Sequence, residues 1–244
     1  MPGSFGRIAL ITGANKGIGF EIARQVGRTG AIVLLGARNR ALGEAAAATL
    51  RGEGIEARCT LLDVTKPATI QAAAAAIEAE HGRLDVLVNN AGIVDRGDGP
   101  PSRTSIDAAR HTFDTNFFGA LAVTQAMLPM LRKSRSARIV NVSSGLGSLA
   151  HNSNPTGQFA TVKFLGYSAS KAALNMLTVQ LAAELRDNGI KVNSADPGFT
   201  ATDLNDHRGH QTIPEGAAAA IRLALLPDDG PTGGFFSAAE QEPW

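Results

Sequence analysis

Cysteine, tyrosine and tryptophan occur once each in this chain of 244 residues. A lone Cys59 excludes an internal disulfide framework and a cysteine-based metal cluster, and it reads as a small buried strand residue in a reducing compartment. The five histidines (His81, His111, His151, His207 and His210) fall in no HExxH-type pair, so no metal site is assigned. An excess of one charge is also missing. Lys+Arg number 23 and Asp+Glu 22, and no run of like charges offers a patch for nucleic acid or an anionic membrane surface. No apolar run reaches the roughly 18 residues of a spanning helix, and MPGSFGR passes into IALIT with no room for a signal core. These absences leave the expectation of a soluble, cytoplasmic protein that meets small molecules, with neither nucleic acid nor membrane as partner.

What is abundant is apolar sequence, 44% of residues, enough for a sizeable core. It is arranged as short β-rich runs, RIALIT (7–12), AIVLLGA (31–37), ARCTLLDV (57–64), LDVLVNN (84–90), ARIVNVSS (137–144) and IKVNSAD (190–196). Helical stretches at 17–29, 40–51, 69–81 and 169–187 separate them. The runs lack polar alternation, as strands buried on both faces do, and the βαβαβ order predicts an α/β protein. Its sheet should be doubly wound and mostly parallel, with helices on both faces (a Rossmann fold), in a single domain over 1–244. The alanine runs at 45–48 and 72–76 read as ordinary helix, because alanine is the best helix former. Loops gather at 94–105, 145–166 and 197–212, after the carboxyl ends of strands, where open α/β sheets place their ligands.

TGANKGIG (12–19) follows the first strand and opens a helix. Glycines 13, 17 and 19 permit a tight turn and close approach of backbone to a pyrophosphate, which the helix N-terminus then attracts. Arg38, 19 residues beyond Gly19, stands where an NAD-binding fold carries an acidic residue for the ribose 2′-hydroxyl. An arginine there suits a 2′-phosphate instead, with Lys16 as a second charge, so the cofactor expected is NADP(H).

These motifs, with LDV (62–64), NNAG (89–92), DTNFFG around Asn116, VNVSS, the pair Tyr167 and Lys171 and DPGFTATD (196–203), resemble the short-chain dehydrogenase/reductase family in order along nearly the whole chain. ITGANKGIGFEIARQ and LALLPDDGPTGGFF (223–236) are similar to its NADPH-dependent carbonyl reductase group. The resemblance implies catalytic roles for Asn116, Ser144, Tyr167 and Lys171, with Ser143 as the weaker alternative to Ser144. It also implies a cofactor surface of Gly13, Asn15, Lys16, Gly17, Ile18, Gly19, Arg38, Asp63, Val64, Asn90, Ala91, Gly92, Tyr167, Lys171, Pro197, Gly198, Thr200 and Thr202.

Carbonyl reduction needs a hydride on carbon and a proton on oxygen, and the nicotinamide supplies only the hydride. Tyr167 is the candidate acid. Lys171, four residues on, shares its helical face and is expected to lower the phenol pKa. Lowering it from about 10 to near 7 takes on the order of 4 kcal/mol, more than one exposed lysine provides but within reach of two cations, Lys171 and the oxidised nicotinamide ring, in a partly desolvated site. The expected activity is reduction of a ketone or aldehyde, reversible as alcohol oxidation; the alternatives are a 3-oxoacyl thioester reductase and a non-catalytic NADP-binding redox sensor. The gap of 23 residues from Ser144 to Tyr167 departs from most members of the family. Its segment either lines the substrate pocket or covers a face used for oligomer contacts, which leaves dimer, tetramer and monomer open. Phe159, Phe164 and Phe199 read as a pocket wall or as core.

Overall fold

A computed structural model describes residues 6–244. Residues 1–5, which carry part of the expectation of a leaderless start and of a domain beginning at residue 1, lie outside the described residues. Strands β1 (Ile8–Thr12), β2 (Ile32–Ala37), β3 (Ala57–Leu61), β4 (Val86–Asn89), β5 (Arg138–Val142), β6 (Lys191–Ala195) and β7 (Phe235–Phe236) form one sheet. All pairings are parallel, in the order β3-β2-β1-β4-β5-β6-β7. Between the strands run α1 (Gly17–Gly27), α2 (Arg40–Gly52), α3 (Pro67–His81), α4 (Ile106–Phe113), α5 (Ala120–Leu131), the short α6 (Leu149–Ser153), α7 (Leu165–Glu184) and α8 (Ile213–Ala224). This is the doubly wound α/β arrangement expected from the alternation of apolar and helical segments. The chain reaches the β3 edge and returns to pair β4 with β1, which places the topological switch point between those two strands.

Every residue of β1 is buried because alternate side chains feed two cores. Ala9 and Ile11 pack with Ile22 and Val26 of α1 and Leu223 of α8. Ile8 and Leu10 pack with Ile77 of α3, Met127 of α5 and Leu181 of α7 on the other face. Apolar partners on both sides remove any polar alternation, so such strands read as continuous apolar runs. Ala46 and Ala47 of α2, from one of the alanine runs, are buried, as small residues that let a helix lie close to the sheet.

Several elements depart from the sequence pattern. β3 stops at Leu61 rather than 64, and beyond it the Asp63 carboxylate accepts from Thr65 N (3.0 Å) and Thr65 Oγ1 (2.7 Å), bending the chain into α3. Helix α7 begins at Leu165 rather than 169. A π-helical turn, Asp114–Gly119, joins α4 to α5. Cys59 is half-buried rather than buried, because β3 is an edge strand. Burial and then Glu44 raise its thiol pKa above the usual value. Arg138, in a strand expected to be apolar, is fully buried; its guanidinium donates to Leu226 O (2.9 Å) and Asp228 Oδ1 (2.8 Å). No helix among the described residues is long and apolar enough to cross a membrane.

Candidate active site

β1 ends in a turn that only glycine fits at two points. Gly13 (φ 64) and Gly17 (φ 60) adopt left-handed backbone, which L side chains resist. Gly19 is required by space, since a Cβ there would stand 2.4 Å from Asn90 Nδ2 and 2.7 Å from Gly13 O. The NNAG segment after β4 is laced to the same turn. Thr12 Oγ1 accepts from Asn90 N (2.9 Å) and Ala91 N (3.0 Å), and Asn90 Nδ2 donates to Thr12 O (2.9 Å) and Gly13 O (3.2 Å).

No side chain caps the first turn of α1, so the N–H groups at Gly17, Ile18 and Gly19 and the positive end of the helix dipole could hold an anion. A Cβ at Gly17 would meet only Thr202 Cγ2, at 4.0 Å, so the backbone borders open space opposite the 197–212 loop. The turn therefore fits a dinucleotide pyrophosphate. Asn15 is half-buried beside it.

At the far end of this surface Arg38 is exposed at the end of β2 and makes no hydrogen bond or ion pair among the described residues. Asp63 lies within its electrostatic reach. Burial pushes the Asp63 carboxyl up, but the Thr65 bonds, Lys66 and Arg38 hold it below its usual range. Lys16 forms an exposed ion pair with Asp203, so the structure ties it to the 197–212 loop rather than leaving it free beside Arg38. Val64 packs under Gly119, at the end of the π-helical turn. Of the residues after β6, Pro197 is half-buried and Gly198 takes φ 64, its N–H donating to Asp196 Oδ1 (3.0 Å). Thr200 is buried against Gly216 of α8, with its hydroxyl on Pro197 O (2.8 Å), so it braces the loop.

The second half of the site is built on α7. Tyr167 and Lys171 sit one turn apart, 8% and 4% exposed, with Lys171 Nζ 5.7 Å from the phenol ring centroid. The ammonium donates to Val142 O (2.7 Å) at the end of β5. Asn116 lies in the π-helical turn, a deformation that often marks functional positions. Its Oδ1 accepts from Ile93 N (2.8 Å), and its Nδ2 donates to Ile93 O and Ser170 Oγ (both 3.0 Å). Gly92 completes the cluster: a Cβ there would lie 3.5 Å from both Asn116 Oδ1 and Lys171 Nζ. The two serines after β5 part company. Ser143 is buried with its hydroxyl directed to Lys171 O (3.4 Å), whereas Ser144 Oγ accepts from Leu146 N (3.2 Å) and lies near enough to the Tyr167 phenol to pull its pKa down.

Lys171 does not draw the Tyr167 pKa towards neutrality in the protein alone. Burial pushes it up to about 12, against the pull of Ser144 and with a further push from Asp196. The same burial pulls Lys171 down to about 8. Its amine rests on the Val142 carbonyl, not on the phenol oxygen, and desolvation opposes charge on both groups.

Two nearby residues escape sequence reading. Asp196 is a largely buried carboxylate beside Ser144: burial raises its pKa, while the N–H groups of Gly198 and Gly145 pull it down. Glu242 fastens the end of the chain to α6 through His151 Nε2 (2.9 Å). Asp196 opens the DPGFTATD motif, but neither that motif nor the apolar strand it closes predicts a carboxylate next to Ser144; Glu242 had no sequence signal. Phe159 packs on Gly145, next to Ser144, and meets His151 edge-on at 5.8 Å. Phe164 and Phe199 are exposed at 40% and 50%, which excludes the core reading for both.

A glycine-cradled helix terminus at the switch point of a parallel sheet, facing a tyrosine and a lysine on one helical turn, places the protein among the oxidoreductases that work with a nicotinamide nucleotide. Residues 7–212 match the short chain dehydrogenase family, and the chain belongs to it. The chain is 36% identical to "Short-chain dehydrogenase/reductase 1" of Saponaria officinalis, over 98% of this chain and 96% of that protein. It is 37% identical to NADPH carbonyl reductase 3 of Rattus norvegicus, over 93% of each. Among solved structures, the NADPH-bound carbonyl reductase from chicken fatty liver superposes with a TM-score of 0.83 at 28% identity, covering 98% of this chain and 99% of that one.

Proposed function

We propose that the protein reduces a ketone or aldehyde to an alcohol with NADPH, and that Tyr167 is the proton donor. The observation that carries this reading is one cluster: Lys171 Nζ lies 5.7 Å from the Tyr167 ring, Asn116 and Lys171 border Gly92 of the segment laced to the glycine turn, and Ser144 stands close enough to the phenol to shift its pKa. Bound NADPH supplies the hydride. Every other element belongs to the chain. A phenol whose pKa lies near 12 is fully protonated at neutral pH, the form a general acid must have at the start of a reduction. The Ser144 hydroxyl holds the substrate oxygen and offers a hydrogen bond to the negative charge that develops there. Lys171 has one N–H on Val142 O and keeps two donors for the nicotinamide ribose. Asn116, clamped at Ile93 and Ser170, holds the water through which Tyr167 is reprotonated.

NADPH rather than NADH is favoured because Arg38 makes no hydrogen bond or ion pair among the described residues, with Asp63 only in electrostatic reach, and retains its guanidinium donors for a 2′-phosphate. The loops 94–105, 145–166 and 197–212 form the substrate side, and Phe159 supplies an apolar wall next to Ser144. The relatives named as carbonyl reductases support the same chemistry. The deciding measurement is cofactor oxidation with a panel of ketones, aldehydes and 3-oxoacyl thioesters, run with NADPH and with NADH. Turnover of simple carbonyls with NADPH is expected; tight NADPH binding without turnover of any of them would defeat the proposal.

A further inference from the structure

Helix α7 begins without a capping residue of its own. Phe164, at the N-cap, has no polar side chain to accept from the first turn, where Ser, Thr, Asp or Asn would ordinarily stand. Its N–H groups are nevertheless all matched, and the partners come from a distant loop. Leu165 N donates to Gly99 O (2.9 Å), Gly166 N to Asp98 Oδ1 (2.9 Å), Tyr167 N to Asp98 Oδ2 (2.8 Å), and Ser168 N returns to Phe164 O (2.9 Å). Asp98 thus uses both carboxylate oxygens on residues 68 and 69 positions away. The carboxylate is itself held by Gly99 N (2.8 Å) and Thr104 Oγ1 (3.4 Å). A Cβ on Gly166 would come within 3.3 Å of Asp98 Oδ2 and 3.1 Å of Ala109 Cα, so the clamp closes tightly over this turn.

We propose that Asp98 is a positioning residue for the reaction: its carboxylate pins the backbone of Tyr167 and Gly166, fixing the phenol, and makes the folding of the 94–105 loop a condition for a correctly placed acid. The inference rests on the reading of Tyr167 as proton donor. Tyr167 lies in the first turn of α7, the part of a helix that loosens when its N–H groups lose their partners. Lys171 lies one turn deeper and is anchored separately on Val142 O. Loss of the clamp therefore acts on the tyrosine and spares the lysine.

The test uses the full chain, NADPH and a carbonyl that the unaltered protein reduces. An unaltered protein that reduces nothing, or a Tyr167→Phe variant with ordinary kcat, removes the underlying reading before Asp98 is touched. With that reading standing, Asp98→Ala should lower kcat about tenfold while NADPH affinity stays within about twofold, as expected when a catalyst is misplaced and not removed. In a Tyr167→Phe background the same substitution should change the residual rate less than about twofold, because no phenol remains to be positioned. Asp98→Asn keeps one acceptor but sets amide hydrogens against Tyr167 N–H, so it should also lower kcat. It carries the same cycle if the alanine variant does not fold. An unchanged kcat, a loss confined to substrate KM, or equal losses with and without the phenol would overturn the proposal.

Discussion

The glycine turn after β1 and the tyrosine–lysine pair on α7 flank one crevice, yet they are held by different means. The turn is made of backbone and short side chains. Thr12, Gly13, Asn90 and Ala91 bond one another across the ends of two adjacent strands, and no buried charge is involved. The pair on α7 consists of two buried ionisable groups, fastened from β5, from the π-helical turn and from the 94–105 loop. Burial raises one pKa and lowers the other, so neutrality is favoured in both. Orphan N–H groups can face an anion with little strain, whereas two ionisable side chains buried side by side are kept dry at a cost to stability.

The sharpest way to break this contrast is Tyr167→Phe. It should lower turnover by roughly a thousandfold, within the range for losing a general acid, while NADPH binding stays near normal in fluorescence titration. Equal damage to binding and turnover would mean that the two sides are not separable.

Lys171→Met addresses the stability cost. Lys171 has a folded pKa of about 8 against an ordinary 10.5, so between those values the unfolded chain holds the extra proton and stability rises with pH. The gain approaches about 3 kcal/mol as pH climbs from 8 towards 10.5. Tyr167 has the opposite sign: its raised pKa stabilises the folded form below about 10, and that contribution is lost as pH rises from 10 to about 12. From pH 8 to 10 the phenol is silent, and Cys59, whose thiol pKa is raised, acts with the opposite sign, so the comparison with Lys171→Met is what isolates the lysine. Urea unfolding of the cofactor-free protein should show the rise, and Lys171→Met should flatten it.

On the anion side, Arg38→Asp should weaken NADPH by roughly 10- to 100-fold and improve NADH, the size of one lost charge-assisted contact. An unchanged ratio of the two Kd values would remove Arg38 from the cofactor surface. The smallest expected effect is that of Ser143→Ala, about twofold or less in kcat, because its 3.4 Å bond to Lys171 O is long and remote from the phenol. Ser144→Ala in the same assay should cost far more.

How much was legible follows from the same contrast. Gly13, Gly17 and Gly19 could be read from sequence because a left-handed φ or a missing Cβ is a property of the residue type, and the strand-turn-helix context lies within a dozen residues. Strand positions were legible because burial on both faces leaves no polar interruption, and the misses came where that logic fails. β3 ends early at the Asp63 bend, Cys59 sits on an edge strand, and Arg138 is buried only because Leu226 O and Asp228 meet it. Spacing placed Tyr167 and Lys171 on one helical face, but spacing is blind to desolvation, which in the protein alone raises the phenol pKa.

Residues close along the chain were enough to place the first six strands, helices α1, α2, α3 and α7, the glycine turn and the pairing of Tyr167 with Lys171, since each depends on periodicity or on residue identity. Packing alone brought Lys16 to Asp203 and set Asp98 as the cap of a helix 68 positions away. Those choices depend on where backbone donors are left without partners and on how much water is excluded around a charge, quantities that exist only once distant segments have packed together.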